Sequence, residues 1–288
     1  MLAKSAGLIL VLALATDWAL HRTTTFPAPH ARGGILITGG GSGIGKSAAV
    51  ALAARGFTVF VGVRQQAQLE ALRAAAAETA TPLVPLLMDV TKEEQVLAAR
   101  DAVEAELQQR GGLPLVGLVN NAGIHRGGDA GTAEHAATVR AVMEVNFFGS
   151  VRVTDAFLPL LRSAAARAAG GRIVNLSSLS GLFANSGNAP YCASKFAMEA
   201  WSDATRRQLL RLGVAVSVVE PGFINTGMHR SDGADGTDVS TDAIVHALTS
   251  PHPRTRYKVA NVFGVPAWAF ARLLWLLPDK AVDMMPGA

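Results

Sequence analysis

Tyr191 and Lys195 stand four residues apart in Pro190–Leu212, a stretch of helical character, so their side chains share one face of one turn. A phenol ordinarily has a pKa of about 10, too high for easy proton transfer near neutrality. A neighbouring ammonium favours the phenolate and lowers that value, and Lys195 is spaced to act on Tyr191 in this way. Ser178 lies thirteen residues before Tyr191, just after the apolar strand candidate Arg172–Leu176. Its hydroxyl can donate to or accept from an oxygen held beside the phenol. Ligands of open α/β sheets gather at the carboxyl ends of strands, and Ser178 sits at such an end. Singly, a Tyr at a helix start packs and a Ser after a strand caps a turn. Jointly, the set reads as a device for moving a proton on or off a substrate oxygen.

A second constellation, Thr38 to Ser47 (TGGGSGIGKS), lies between a strand and a helix. Gly40, Gly45, Lys46 and Ser47 satisfy the P-loop spacing GxxxxGK[ST], and Asp89 after Leu86–Met88 would suit its metal ion. Gly39, Gly43 and Gly45 instead satisfy TGxxxGxG, a spaced variant of the dinucleotide fingerprint. Both patterns use glycine so that a phosphate can approach backbone N–H groups at a helix N-terminus. The loop alone leaves a nucleotide hydrolase and a dehydrogenase open.

The elements that must position these residues alternate. Strand candidates are Ile35–Thr38, Thr58–Val63, Leu83–Met88, Leu115–Val119, Arg172–Leu176 and Val214–Val219. Helical patterns cover Ile44–Arg55, Gln65–Ala77, Lys92–Gln109, Ala133–Leu161 and Pro190–Leu212. This order predicts an α/β fold, a doubly wound parallel sheet of Rossmann type in three α/β/α layers. No repeat appears, and residues 34–288 read as one catalytic domain behind an N-terminal segment and linker, 1–33.

The 288 residues are half apolar and 17% charged, which excludes disorder and coiled coil. A single cysteine, Cys192, excludes an internal disulfide framework and reads as a small buried filler. A net charge of +4 without Lys/Arg runs argues against nucleic acid as a partner. His125, His135 and His246 form no ligand spacing, so no metal is expected. Gly7–Ala15 is apolar after Lys4 and falls short of the ~20 residues that span a bilayer. It fits a signal peptide cleaved near Ala13-Leu14-Ala15, a short membrane anchor, or a helix packed on the domain. Val265–Leu277 is apolar and aromatic, and fits a core helix, a lid over an apolar cavity, or a membrane-surface helix.

Further phrases complete a pattern. Asn120-Asn121-Ala122-Gly123 follows a strand, Asn146 sits in VNFFG within the long helix, and Pro221-Gly222-Phe223-Ile224-Asn225-Thr226 follows Val214–Val219. Taken with TGGGSGIG, Ser178 and Tyr191-x-x-x-Lys195, they make the chain resemble the short-chain dehydrogenase/reductase family from about Gly34 to Met228. The phrases VFVGVR, VNFFGSVRVTDAFLPLLR and APYCASKFAMEAWSDATRRQL resemble its hydroxysteroid and retinol dehydrogenase branch most closely. The P-loop alternative recedes, because no ATPase needs the Ser–Tyr–Lys set. A non-catalytic nucleotide-binding protein on this fold is the other rival, and the complete set speaks against it.

The resemblance implies Tyr191 as acid/base, Ser178 as the residue polarising the substrate oxygen, Lys195 as a ribose ligand, and Asn146 as the holder of a relay water. It implies a nicotinamide cofactor held by Thr38, Gly39, Ser42, Gly43, Ile44 and Gly45. Asp89 and Val90 would contact adenine, Asn121, Ala122 and Gly123 the ribose side, and Pro221, Gly222, Ile224 and Thr226 the carboxamide side. Val63 occupies the slot where NAD-preferring relatives carry Asp, and Arg64 follows it. A guanidinium suits the 2′-phosphate, so NADP is expected before NAD. Phe183, Phe223, Met228 and the Val265–Leu277 segment predict an apolar alcohol or ketone as substrate. The branch also implies a homodimer or homotetramer through Ala133–Leu161 and Pro190–Leu212. It implies a membrane-associated enzyme, of the endoplasmic reticulum or, after cleavage, of the secretory route or an organelle.

Overall fold

A computed structural model describes residues 25–29, 32–79, 82–166, 170–222, 224, 236–262, 264–282 and 284. Seven parallel strands form one sheet in the order β3-β2-β1-β4-β5-β6-β7. They are β1 (Gly34–Thr38), β2 (Thr58–Val63), β3 (Leu83–Leu87), β4 (Leu115–Asn120), β5 (Arg172–Leu176), β6 (Ala215–Pro221) and β7 (Arg256–Val259). The doubly wound prediction therefore holds. β7 is an addition to it: Arg-Tyr-Lys-Val carries two charges and lacks the apolar run that marked the others.

The helices α1 (Gly43–Ala53), α2 (Gln66–Thr79), α3 (Glu93–Gln109), α4 (His135–Met143), α5 (Gly149–Ala166), α6 (Ala189–Leu210) and α7 (Asp238–Thr249) cover the two faces. Alternation along the strands feeds both faces. Ile35 and Ile37 of β1 and Val59 and Val61 of β2 pack with Ala48 and Leu52 of α1 and Ile244 and Leu248 of α7. Leu36 and Phe60 point the other way, to Val103 of α3 and to Phe157 and Leu161 of α5. Each buried Val, Leu, Ile or Phe among these contributes ~1.5–3 kcal/mol relative to exposure. The direction of winding reverses between β1 and β4: β1 pairs with β2 on one side and with β4 on the other. A crevice therefore opens at their carboxyl ends.

The predicted helix Ala133–Leu161 is not continuous. A π-helical turn, Glu144–Phe148, separates α4 from α5, and Asn146 lies in it fully buried. The wider turn inserts a residue and redirects the side chains that follow, a device often found at functional sites. The C-terminal apolar segment forms a short hairpin, β8 (Asn261–Val262) with β9 (Val265–Pro266), then α8 (Ala267–Leu276) and α9 (Asp279–Val282). α8 is not a core helix: Ala267 and Leu274 are buried, but Trp268, Leu273, Trp275 and Leu276 are exposed. Among the described residues no helix is long and apolar enough to cross a membrane. The apolar stretch Gly7–Ala15 lies outside them. The last part of the expected linker is docked: the buried Arg172 donates to the Pro27 carbonyl at 2.8 Å and lies over the Phe26 ring.

Candidate active site

The crevice leads into a cavity of about 1060 Å³ that runs from the glycine loop to the start of α6. Its walls are built first from backbone. Gly39 has φ +63, and a Cβ there would stand 2.8 Å from Ala122 Cα. A Cβ on Gly45 would stand 2.4 Å from Asn121 Nδ2 and 2.8 Å from the Gly39 carbonyl. Glycine is required at both because β1's loop and β4's loop touch. The buried Thr38 ties them: its hydroxyl accepts from Asn121 N–H at 3.0 Å and Ala122 N–H at 2.9 Å. Asn121 returns bonds to the Thr38 and Gly39 carbonyls. Thr38 and Gly45 therefore shape the cavity from behind and do not line it.

Gly39, Ser42, Gly43 and Ile44 do line it, as do Arg64, Asp89 and Val90. Ser42 is the N-cap of α1, makes no side-chain capping bond, and the first turn holds no acid. The orphan N–H groups of that turn are thus available to an anion. The P-loop side chains point elsewhere: Lys46 is exposed and off the cavity, and Ser47 accepts from Thr241 of α7 at 2.8 Å. Asp89 is engaged locally, accepting from the Thr91 N–H and hydroxyl at 2.9 and 2.8 Å. Arg64 has no ion-pair partner among the described residues.

Asn121, Ala122 and Gly123 continue the wall, with Ser178, Tyr191 and Lys195 at its far part and Pro221, Gly222 and Ile224 beside them. Thr226, with Phe223, Asn225 and Met228, lies outside the described residues. Lys195 Nζ donates to the Leu176 carbonyl at 2.8 Å and stands 5.5 Å from the Tyr191 ring centroid. Ser178 caps the 3₁₀ turn Leu179–Gly181, accepting from Ser180 N–H at 3.1 Å. Burial pushes the Tyr191 hydroxyl up to about 12, against a hydrogen bond from Ser178 that lowers it. Lys195 was expected to bring this phenol down; burial instead raises the phenol and pulls Lys195 itself to about 8, with Glu199 opposing.

Asn146 does not line the cavity. Its Oδ1 accepts from Ile124 N–H at 2.8 Å, and its Nδ2 donates to the Ile124 carbonyl and to Ser194 Oγ, both at 3.0 Å. Ser194 in turn donates to the Tyr191 carbonyl at 2.7 Å. The π-turn thereby links the β4 loop to the first turn of α6. Cys192 is buried, and its thiol meets Asn185 Oδ1 at 3.5 Å.

Behind the site sits a charge cluster that sequence patterning missed. Arg256 binds Glu199, Glu220 at 2.9 Å and Asp203 at 2.9 Å, while Lys258 binds Glu220 at 3.1 Å. Burial and the neighbouring Glu220 push the Glu199 carboxyl up to about 7. The residues come from α6, β6 and β7 and share no sequence spacing; only Glu199, one turn after Lys195, was positioned to be noticed. His125 and Arg126, which also line the cavity, were missed for a different reason: the histidine was weighed only as a metal ligand.

A seven-stranded Rossmann sheet, a glycine cradle at its switch point and a Ser–Tyr–Lys group at the carboxyl edge define a nicotinamide-dependent oxidoreductase, and the chain belongs to the short chain dehydrogenase family, whose profile matches residues 34–236. Within it the chain stands with the hydroxysteroid and retinol dehydrogenase branch. Bovine mitochondrial D-beta-hydroxybutyrate dehydrogenase is 41% identical over 88% of this chain and 81% of its own. Mouse retinol dehydrogenase 5 is 33% identical over 92% and 91%. Bovine 17-beta-hydroxysteroid dehydrogenase type 6 is 35% identical over 81% and 83%. A short chain dehydrogenase from Burkholderia cenocepacia J2315, solved in complex with NADP, superposes with a TM-score of 0.71 at 28% identity. That match covers 89% of this chain and 100% of the other.

Proposed function

We propose that the chain is an NADP(H)-dependent oxidoreductase interconverting an apolar primary or secondary alcohol and its aldehyde or ketone. The observation that carries this reading is the meeting of Tyr191, Ser178 and Lys195 in the same cavity as the glycine cradle. The cradle fits the cofactor: Gly39 and Gly45, lacking a Cβ, let the β1 and β4 loops close against each other behind the cavity, and the uncapped N-terminus of α1 offers donors to a pyrophosphate. Arg64, without an acidic partner, supports the 2′-phosphate and hence NADP over NAD. Ile224 and the Pro221–Gly222 backbone would hold the carboxamide end, together with Thr226. When bound, the nicotinamide supplies or takes up the hydride.

The remaining chemistry belongs to the side chains. Ser178 holds the substrate oxygen by a hydrogen bond. Tyr191 gives its proton to that oxygen in reduction and takes it back in oxidation. Lys195 supplies positive charge beside the phenol and binds ribose hydroxyls. Asn146 acts through its grip on Ile124 and Ser194, holding the β4 loop and α6 in register; a relay water would sit against its neighbours, not its amide.

Residues 34–288 form the catalytic domain in this reading, with 1–33 serving to target or anchor it. Exposed Trp268, Trp275 and Leu276 on α8 support association with a membrane surface. Exposed Phe148 and Phe196, on the helical faces expected to pair, support a homo-oligomer.

The decisive experiment is Tyr191→Phe. Turnover of alcohol with NADP+ should fall by about 10²–10⁴-fold, while NADPH still binds, read by cofactor fluorescence. Unchanged turnover would overturn the assignment.

A further inference from the structure

Glu199 lies one helical turn after Lys195 on α6, behind the cavity wall, and its two carboxyl oxygens are treated differently. Oε2 accepts from Arg256 Nη1, which also donates to Glu220 Oε1 at 2.9 Å. Oε1 is buried and has no hydrogen-bond partner among the described residues. A buried carboxylate oxygen left unmatched is costly, so it must gain either a donor or a proton.

The group that can answer it is Ser177, the neighbour of Ser178. Ser177 is buried just past β5, and its N–H donates to the Val219 carbonyl of β6 at 2.9 Å. A Cβ on Gly181 would stand 2.8 Å from Ser177 Oγ, 2.9 Å from the Lys195 carbonyl and 3.0 Å from Glu199 Cγ. Ser177, Lys195 and Glu199 therefore converge on the last residue of the 3₁₀ turn that Ser178 caps. Gly181 N–H closes that turn on the Ser178 carbonyl at 2.9 Å. The Ser177 hydroxyl donates to the Lys195 carbonyl, but at 3.4 Å the bond is long. Glu199 is the competing acceptor. Ionised, it takes the Ser177 proton in a charge-assisted bond, roughly twice as strong as a neutral one. Protonated on Oε1, it donates to Ser177 Oγ instead, and Ser177 keeps the weak bond to the Lys195 carbonyl.

We propose that Glu199 is a positioning residue whose carboxylate fixes the Ser177 hydroxyl and thereby seats the Ser178 turn on α6. The proposal rests on the oxidoreductase reading above and names the group that sets its acid limit. The charged groups around Glu199 are Lys195 and Asp203 from α6, Glu220 from β6, and Arg256 and Lys258 from β7; residues 177–181 supply none. Burial and then Glu220 raise its carboxyl to about 7, with Ser177 and Arg256 opposing. The seated form is therefore gained as pH rises through that value.

The test uses the full chain reducing 2-octanone and decanal with NADPH. The rise through about pH 7 should be about threefold to tenfold in kcat, with the KM of NADPH unmoved, before the fall above pH 8 that Lys195 sets. Ser177→Ala should lose the rise and keep the fall, because no charge beside Lys195 changes. Glu199→Gln should lose the rise too, and Glu199→Asp, which keeps the charge on a shorter arm, should retain part of it. NADPH fluorescence shows that each variant is folded. Infrared difference spectra read the carboxyl without turnover. A protonated carboxyl band should vanish as pH passes upward through about 7, be absent from Glu199→Gln, and vanish at higher pH in Ser177→Ala, where the donor to the carboxylate is gone. A rise that survives in Ser177→Ala, or a carboxyl titration that Ser177→Ala does not move, would overturn the proposal while the oxidoreductase reading stood. The infrared shift in Ser177→Ala, with no turnover of either carbonyl compound, would keep the Glu199–Ser177 link and remove the oxidoreductase reading instead.

Discussion

The two ends of the cavity are built from different materials. The nucleotide end is backbone: glycines pressed against one another, a bare helix terminus, and loops tied by Thr38 and Asn121. The end beyond Tyr191 is side chain: the rings of Phe270 from α8 and Phe183 from the loop before α6, and the His125 ring against Tyr191. Backbone walls admit one shape and fail when a methyl group is added. Side-chain walls can be trimmed and still stand. The nicotinamide cofactor is common to a family while substrates vary within it, and the construction follows that division.

The largest effect should come from breaking the backbone end. Gly45→Val places a branched side chain where even a Cβ would lie 2.4 Å from Asn121 Nδ2. Fluorescence titration with NADPH should show affinity lost by about a hundredfold or more, because the two loops must separate. Retained affinity would mean that the β4 loop yields and that the cradle is softer than its geometry implies.

Next is the pH response of the Tyr191–Lys195 pair, which lies between the two ends. Burial holds Lys195 at about 8, so its ammonium is present at lower pH and is lost as pH rises through that value. Tyr191, pushed up to about 12, stays protonated over the same range. Carbonyl reduction should therefore fall about tenfold per pH unit above 8. Lys195→Arg, which stays charged, should flatten that limb. Glu199→Gln removes the carboxylate that holds Lys195 up, and should move the limb below pH 8. Stability runs the other way: the unfolded chain binds the lysine proton up to its ordinary 10.5, so this group's contribution rises between pH 8 and 10.5. Thermal unfolding across that range reads it.

A smaller effect tests which cofactor the backbone end prefers. Arg64→Ala should weaken NADPH by about tenfold and leave NADH within about twofold, since only the 2′-phosphate needs the guanidinium. Equal losses for both would make Arg64 a general electrostatic contact.

The same division explains what the sequence disclosed. β1 and β2 were readable because both faces of the sheet are covered, which demands unbroken apolar runs. The glycine loop was readable because few other residues survive its close approaches. Tyr191 and Lys195 were readable because one helical turn sets their spacing. The π-turn at Asn146 was hidden, since a helix and a π-turn share the same apolar pattern and differ by one hydrogen-bond step. The Glu199–Glu220–Arg256 cluster was hidden because its members meet only after β6 and β7 pair. β7 was hidden by those same charges, which occupy strand positions that are ordinarily apolar.

The mildest perturbation falls on α8, where both kinds of wall can be compared within one helix. Phe270 faces inward against Phe183, while Trp275, 86% exposed, faces outward. Phe270→Ala removes one ring from a pair that is already half-open, so the neighbours keep most of their contacts. It should raise the KM of an apolar-tailed substrate by about threefold to tenfold, the worth of ~1 kcal/mol of aromatic contact. NADPH affinity, set some distance away by backbone, should hold. Trp275→Ser should change unfolding free energy by less than ~0.5 kcal/mol, because an exposed side chain loses almost nothing on truncation. If Trp275→Ser instead raised KM as much as Phe270→Ala, the outer face of α8 would be in contact with substrate or with whatever surface delivers it, and the helix would belong to the binding site on both sides.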